Sequence, residues 1–263
     1  MRLRVLGCSG TYPTPWSPSS GYVIEDATAS VWLDCGTGTF AALQQVRDYT
    51  SIDALVLSHL HSDHCLDIYP LYYALRFNPE ARRLPVYCPS GTEDQLAQLL
   101  VGDTACKLNY IFDFRYVKPG ETVEVGDIHL DFAITDHPVP THAVRAESPE
   151  GILTYSADTG PGMDLDVFAR DSDVLLCEAS YQNNDCGAPL HLTAEQAGEY
   201  AKRASTRDLV LTHFWPTHDH ATSRDEARAA AGDVPVHLAH PGGVYDIETR
   251  TWTDPGEETD AVA

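Results

Sequence analysis

Between the hydrophobic run Ala54–Ser58 and a helix-like pattern near Leu66, the chain reads His59-Leu60-His61-Ser62-Asp63-His64, four metal-ligating side chains within six residues. No other feature restricts the fold so strongly. Alternate side chains of an extended segment point the same way, so His59 and His61 can grip one ion together. Turning into a helix swings Asp63 and His64 toward a second. Imidazole and carboxylate donors without thiolate suit zinc first, with manganese or iron accepted by the same set, and open coordination positions suit catalysis rather than structure.

Strand-like runs recur along the rest of the chain: Arg2–Leu6, Tyr22–Glu25, Val31–Asp34, Ala54–Ser58, Pro85–Cys88, Ile128–Ile134, Ile152–Ser156, Val174–Cys177, Leu209–Thr212 and Val244–Ile247. Helix-like patterns cover Phe40–Tyr49, Leu66–Arg76, Thr92–Val101, Thr193–Ala204 and Ser223–Ala230. Thr193 followed three residues later by Gln196 is a capping box. Strands grouped early in each half, with helices interleaved later, predict an α+β chain in which two mixed sheets are sandwiched between helical layers. One echo links the halves: Asp53–His59 and Asp208–His213 are both buried-strand patterns ending in a hydroxyl residue and a histidine. They read either as a coincidence of two hydrophobic strands or as two halves of one duplicated sandwich, each delivering a histidine to a shared cleft. Residues 1–253 are expected to form one domain, and 254–263, with Asp254, Glu257, Glu258 and Asp260, a frayed acidic tail.

Charge and cysteine usage exclude several classes. With 17 Lys and Arg against 39 Asp and Glu, the net charge of −22 would repel nucleic acid, whose binding proteins carry basic stripes. Seven cysteines without CxxC or CxxxxC spacing argue against a disulfide framework and a thiolate cluster, and point to the reducing cytoplasm. No run approaches the ~20 apolar residues of a membrane helix, and the first eight residues hold no signal-peptide apolar region.

The motif of residues 59–64 resembles the HxHxDH signature of the metallo-β-lactamase superfamily, and the resemblance extends over nearly the whole chain. Asp34-Cys35-Gly36 resembles the aspartate turn below the family's metal loop. His137 stands where the family has its third metal histidine, Asp158 in Tyr155–Thr159 matches the bridging aspartate, and Leu211-Thr212-His213 the last histidine. The resemblance implies a four-layer αβ/βα sandwich and two divalent ions. One would be held by His59, His61, His137 and Asp158, the other by Asp63, His64, Asp158 and His213. A surface dimer is common in the family, though no patch in the sequence specifies a homodimer.

A two-metal site activates water and holds attacking and leaving oxygens, so the implied reaction is hydrolysis. Cys177-Glu178-Ala179-Ser180 and His191-Leu192-Thr193 resemble signatures of the ribonuclease Z and phosphodiesterase branch, in which the histidine protonates the leaving oxygen and the glutamate orients it. Glu178, His191 and Asp63, the last helping to position or deprotonate water, are the expected catalytic residues. Only residues 138–157 separate His137 from Asp158, where the transfer-RNA arm of ribonuclease Z is normally inserted. The resemblance therefore favours compact bacterial phosphodiesterases acting on small phosphodiesters such as cyclic nucleotides. A carboxyl-ester, lactone or thioester hydrolase, or a non-enzymatic binding module of the same fold, stays open. His142 is a candidate for contact with a substrate phosphate, with a strand-edge role as its alternative. Gly36-Thr37-Gly38-Thr39-Phe40-Ala41 fits a dinucleotide fingerprint but lacks the acid that should follow, so its glycines read as turn residues. His218-Asp219-His220 reads as an exposed loop rather than a metal grip, with lining of the cleft entrance as its alternative.

Overall fold

Alternation along a strand sorts the apolar residues of the first sheet onto two faces in the computed structural model, which describes residues 1–100, 108–185 and 189–253. Val31 and Leu33 enter the core shared with the second sheet, whereas Trp32 between them packs with Leu43, Leu71 and Tyr72 of the helices outside. Ala54 and Val56 divide from Leu55 in the same way. A sheet apolar on both faces must be covered twice, and the layering helix, sheet, sheet, helix follows.

The first sheet is built from β1 (Arg2–Gly7), β2 (Gly21–Glu25), β3 (Ser30–Leu33), β4 (Ala54–Val56), β5 (Leu84–Cys88) and β6 (Phe112–Tyr116). The chain then crosses to the second sheet with β7 (Thr122–Val125), β8 (Ile128–Ile134), β9 (His142–Ser148), β10 (Gly151–Tyr155), β11 (Val174–Glu178), β12 (Asp208–Thr212) and β13 (Val236–Leu238). It returns to the first with β14 (Val244–Asp246) and β15 (Thr251–Thr253). Their spatial orders are β15-β14-β1-β2-β3-β4-β5-β6 and β13-β12-β11-β10-β9-β8-β7. β3 to β6 run parallel, as do β10 to β13, and the remaining pairs are antiparallel. These are the two mixed sheets expected, and β4 and β12, the echoing strands, lie in opposite sheets.

The helix Ala194–Ala204 covers β11 and β12 with Ala197, Tyr200, Ala201 and Ala204. Its predicted box is present: Gln196 N donates to Thr193 Oγ1 at 3.1 Å, and Thr193 N donates to Gln196 Oε1 at 2.9 Å. Other boundaries move. The first helix is Thr39–Val46, because Asp48 caps a separate 3-10 turn at Tyr49–Ser51. The pattern at Leu66–Arg76 becomes a short turn Ser62–Cys65 and a helix Ile68–Phe77. The predicted Thr92–Val101 helix spans Thr92–Ala97, and Val101 lies outside the described residues, as does the tail 254–263. The last helix starts at His220 because Asp219 caps it, accepting from the amides of Ala221 and Thr222. His218-Asp219-His220 is therefore a helix entry rather than a loop. His220 stacks on Phe214 at 4.2 Å, and His218 pairs with Asp185 at 3.4 Å.

Unforeseen strands have a common cause. β6 and β15 are the edges of the first sheet, β7 and β13 those of the second. A long apolar edge invites pairing with another chain, and β7 and β15 are short and partly exposed, β13 is three residues long, and β6 is exposed at Arg115 and Tyr116. β9 is interior, but Arg145 and Glu147 on its outer face mask the alternation. No described helix is long and apolar enough to cross a membrane.

Candidate metal centre

Parallel strands put their carboxyl ends on the same side, and the predicted ligands sit at those ends: His59–His64 after β4, His137 after β8, Asp158 after β10 and His213 after β12. Donor atoms of His59, His61, His137 and Asp158 lie within 4.8 Å of one another, as do those of Asp63, His64 and His213. Asp158 stands between the sets. Its Oδ2 is 3.6 Å from His59 Nε2 and 4.0 Å from His137 Nε2, while its Oδ1 is 3.2 Å from His64 Nε2 and 3.4 Å from His213 Nε2.

Partners behind the rings set which nitrogen faces the cluster. Ser58 Oγ lies 3.0 Å from His59 Nδ1, Asp34 Oδ2 2.7 Å from His64 Nδ1, and Ser180 Oγ 2.8 Å from His213 Nδ1. Each leaves Nε2 facing inward, the arrangement by which outer groups orient metal-binding imidazoles. His64 Nε2 then comes within 3.2 Å of His213 Nε2, and His137 Nε2 within 3.2 Å of His61 Nδ1. His59 Nε2 and Asp158 Oδ1 are buried and make no hydrogen bond. Buried polar atoms are normally paired, so converging imidazole nitrogens and carboxylate oxygens left unpaired fit divalent cations. Although burial opposes ionisation, the surrounding imidazoles, His213 and His64 foremost, hold the Asp158 carboxyl well below its usual range. Burial, then the neighbouring His64, pushes His59 well below the ordinary histidine value, which keeps a lone pair available.

Asp34, His213 and Ala157 adopt left-handed backbone conformations, with φ of 55°, 53° and 50°. Such conformations cost about 1–3 kcal/mol each and persist where their surroundings impose them. Here they kink three strand ends at the cluster. Gly36 supplies space instead: a Cβ there would lie 1.9 Å from the Asp63 carbonyl oxygen. Gly36→Ala is expected to displace the metal loop, with about 1–3 kcal/mol lost and reduced metal content. Thermal unfolding with metal analysis checks this, and normal metal content would refute it. The glycine pattern thus serves a close approach at Gly36 and, at Gly38 (φ 91°), the entry to the first helix.

Next to the cluster, His191 Nδ1 lies 3.0 Å from Oε1 of the fully buried Glu178, and its ring is 5.4 Å from those of His137 and His213. Burial disfavours the imidazolium, but the Glu178 charge and hydrogen bond outweigh it and lift His191 to about 9. Ser180 Oγ joins Glu178 Oε2 at 2.7 Å to His213 Nδ1, so the pair is tied to a cluster histidine. Asp63 Oδ2 accepts from Thr11 N at 2.6 Å. His142 opens β9 and sits apart from the grouped donors: its amide donates to Ser58 O at 3.0 Å, and its ring packs edge-on to Phe132 at 6.4 Å.

Ser58, Ser180 and the Thr11 amide escape a reading of the sequence. Ser180 leaves a trace in the motif Cys177–Ser180 and Ser58 in the hydroxyl-histidine echo, though neither pattern shows that its hydroxyl orients a ring. The counterpart of Ser58 in the echo, Thr212, bonds Tyr22 at 2.6 Å rather than a cluster histidine.

Two sheets between helices, with a His/Asp cluster suited to metal ions across their carboxyl ends, define a metallo-hydrolase fold. The chain belongs to the beta-lactamase superfamily, whose domain matches residues 29–214. It is 38% identical over 255 residues to the protein ML1173 of Mycobacterium leprae, covering 94% of this chain and 89% of that one. It is 29% identical over 265 residues to a ribonuclease Z of Methanopyrus kandleri, covering 86% and 91%. The crystal structure of the metallo-β-lactamase-fold protein YhfI from Bacillus subtilis aligns with a TM-score of 0.83 at 27% identity, over 93% of this chain and 98% of that one.

Proposed function

We propose that the protein is a phosphodiesterase that holds two divalent ions, zinc first among them, and hydrolyses small phosphodiesters such as cyclic nucleotides. His59, His61, His137 and Asp158 would hold one ion, and Asp63, His64, Asp158 and His213 the other. Bound there, such ions acidify water and neutralise charge on phosphoryl oxygens. The observation that carries the reading is the His191–Glu178 pair. An alkoxide is a poor leaving group unless protonated, and His191, held as a cation by a buried carboxylate, stores that proton beside the cluster. Asp63, anchored by the Thr11 amide, is placed to orient the attacking water or receive its proton.

Substrate size follows from β9 and β10. They are joined directly through Pro149 and Glu150, so no arm projects between His137 and Asp158. With a net charge of −22, this favours small molecules over transfer RNA, although a relative is a ribonuclease Z. The test is conversion of cyclic AMP to AMP by protein loaded separately with zinc and manganese, with His61→Ala in parallel. Turnover is expected in the wild type and near-complete loss in the variant. No turnover with either metal bound would overturn the cyclic-nucleotide assignment and favour other phosphodiesters, then lactones.

A further inference from the structure

Rings continue outward from the centre. The His191 ring, next to that of His213, lies 5.6 Å from Tyr181, Tyr181 lies 6.2 Å from Trp215, and Trp215 lies 6.5 Å from His218. Tyr181 follows β11 and Trp215 follows β12, neighbouring parallel strands, so both stand at the end of the sheet that carries the ligands. Both are half-buried. Tyr181 is fixed by its backbone, which bonds both sides of Thr193, two residues after His191: its amide donates to Leu192 O at 3.1 Å, and its carbonyl accepts from Ala194 N at 2.9 Å. His218 is held at the outer end by Asp185.

We infer that Tyr181 and Trp215 form a stacking platform for the nucleobase of a nucleotide substrate, which makes them specificity-determining residues. This rests on the phosphodiesterase reading and deepens it. Charge explains the need. The described ion pairs of the cluster join only histidines to carboxylates, with no lysine or arginine among them. In so acidic a protein, uncharged contacts are a route to affinity for the part of the substrate beyond the phosphoryl group. Every nucleobase has a π-face, and stacking on an aromatic side chain is worth about 5- to 150-fold in affinity per base. Tyr181 reaches from His191 to Trp215, which puts both rings beside the group proposed to protonate the leaving oxygen.

The experiment compares cyclic AMP with the 3′,5′-cyclic phosphate of 1-deoxyribose, the same cyclic phosphodiester without a base, in metal-loaded wild type, Tyr181→Ala, Trp215→Ala, Tyr181→Phe and Trp215→Phe. Calorimetry with AMP gives a Kd independent of turnover. Each alanine variant is expected to raise KM for cyclic AMP and Kd for AMP about tenfold or more relative to its effect on the base-free diester, and each phenylalanine variant to restore most of the loss. Equal effects on both substrates, or alanine variants that bind AMP like the wild type, would overturn the platform. Wild type that hydrolyses the base-free diester but neither binds AMP nor cleaves cyclic AMP would overturn the platform and leave the phosphodiesterase standing. Wild type inactive on both would overturn the phosphodiesterase reading and the platform with it.

Discussion

His191→Ala should retain the metal content of the wild type and lose roughly 10²–10⁴-fold of kcat on alkyl phosphodiesters, the usual worth of a positioned acid. On 4-nitrophenyl esters the loss should be small, because that phenolate is a weak base and departs without a proton. Donor atoms of Asp158, His191 and His213 also lie within 4.8 Å of one another, but the Nδ1 of His191 is paired with Glu178 at 3.0 Å, and the pair is tied through Ser180 to His213. The pH profile follows with a definite sign. The competent form is the imidazolium, and His191 is lifted to about 9, so kcat on alkyl substrates should hold through neutrality and fall as pH rises past about 9. Glu178→Gln removes the charge that does the lifting and should move that decline to lower pH. Stopped assays on both ester classes, with metal analysis of every variant, decide it. Equal losses on both leaving groups, or loss of metal, would take His191 out of the acid role.

How far the site is legible in sequence depends on how locally its parts are encoded. His59, His61, Asp63 and His64 lie within six residues on one strand-to-helix turn, so their convergence follows from backbone geometry. His137, Asp158 and His213 arrive from the second sheet, and single residues at strand ends carry no local signal. Resemblance to a family picks out His137 and Asp158, and His213 stands out besides in the hydroxyl-histidine echo. Tyr181 and Trp215 were passed over because a half-buried aromatic in a sequence is indistinguishable from a core residue. The sheets show the same divide. Interior strands such as β4, β11 and β12 announce themselves by unbroken aliphatic runs, whereas β7, β15 and the charged outer face of β9 carry polar residues that read equally well as loop, and β13 is too short at three residues to show a pattern.

Asp34→Asn should cost about 3–5 kcal/mol of stability, the range for breaking a buried charged pair, and weaken metal binding 10- to 100-fold, as losing an outer partner of a metal ligand does. The fully buried Asp34 carboxylate accepts from Ser58 N and Ser58 Oγ at 2.7 Å each, from His64 Nδ1 at 2.7 Å and from Tyr155 OH at 2.9 Å. Ser58 in turn contacts His59, so one carboxylate aims a histidine from each ligand set. Tyr155 belongs to β10, which makes the same group a tie between the sheets. Asparagine is the informative substitution because it tolerates the left-handed conformation that Asp34 adopts as well as aspartate does, so no backbone strain is added and the change is one of chemistry. Its amide NH2 would face donors, and at least one of Ser58, His64 and Tyr155 would lose its acceptor. Tyr155→Phe serves as the comparison: it removes one hydrogen bond, worth about 1 kcal/mol, without touching His64. Urea unfolding of metal-free protein and competition with a chromophoric chelator separate the two effects. Wild-type metal affinity in Asp34→Asn, with stability alone reduced, would make Asp34 a tie between sheets and leave the aim of His64 to its packing.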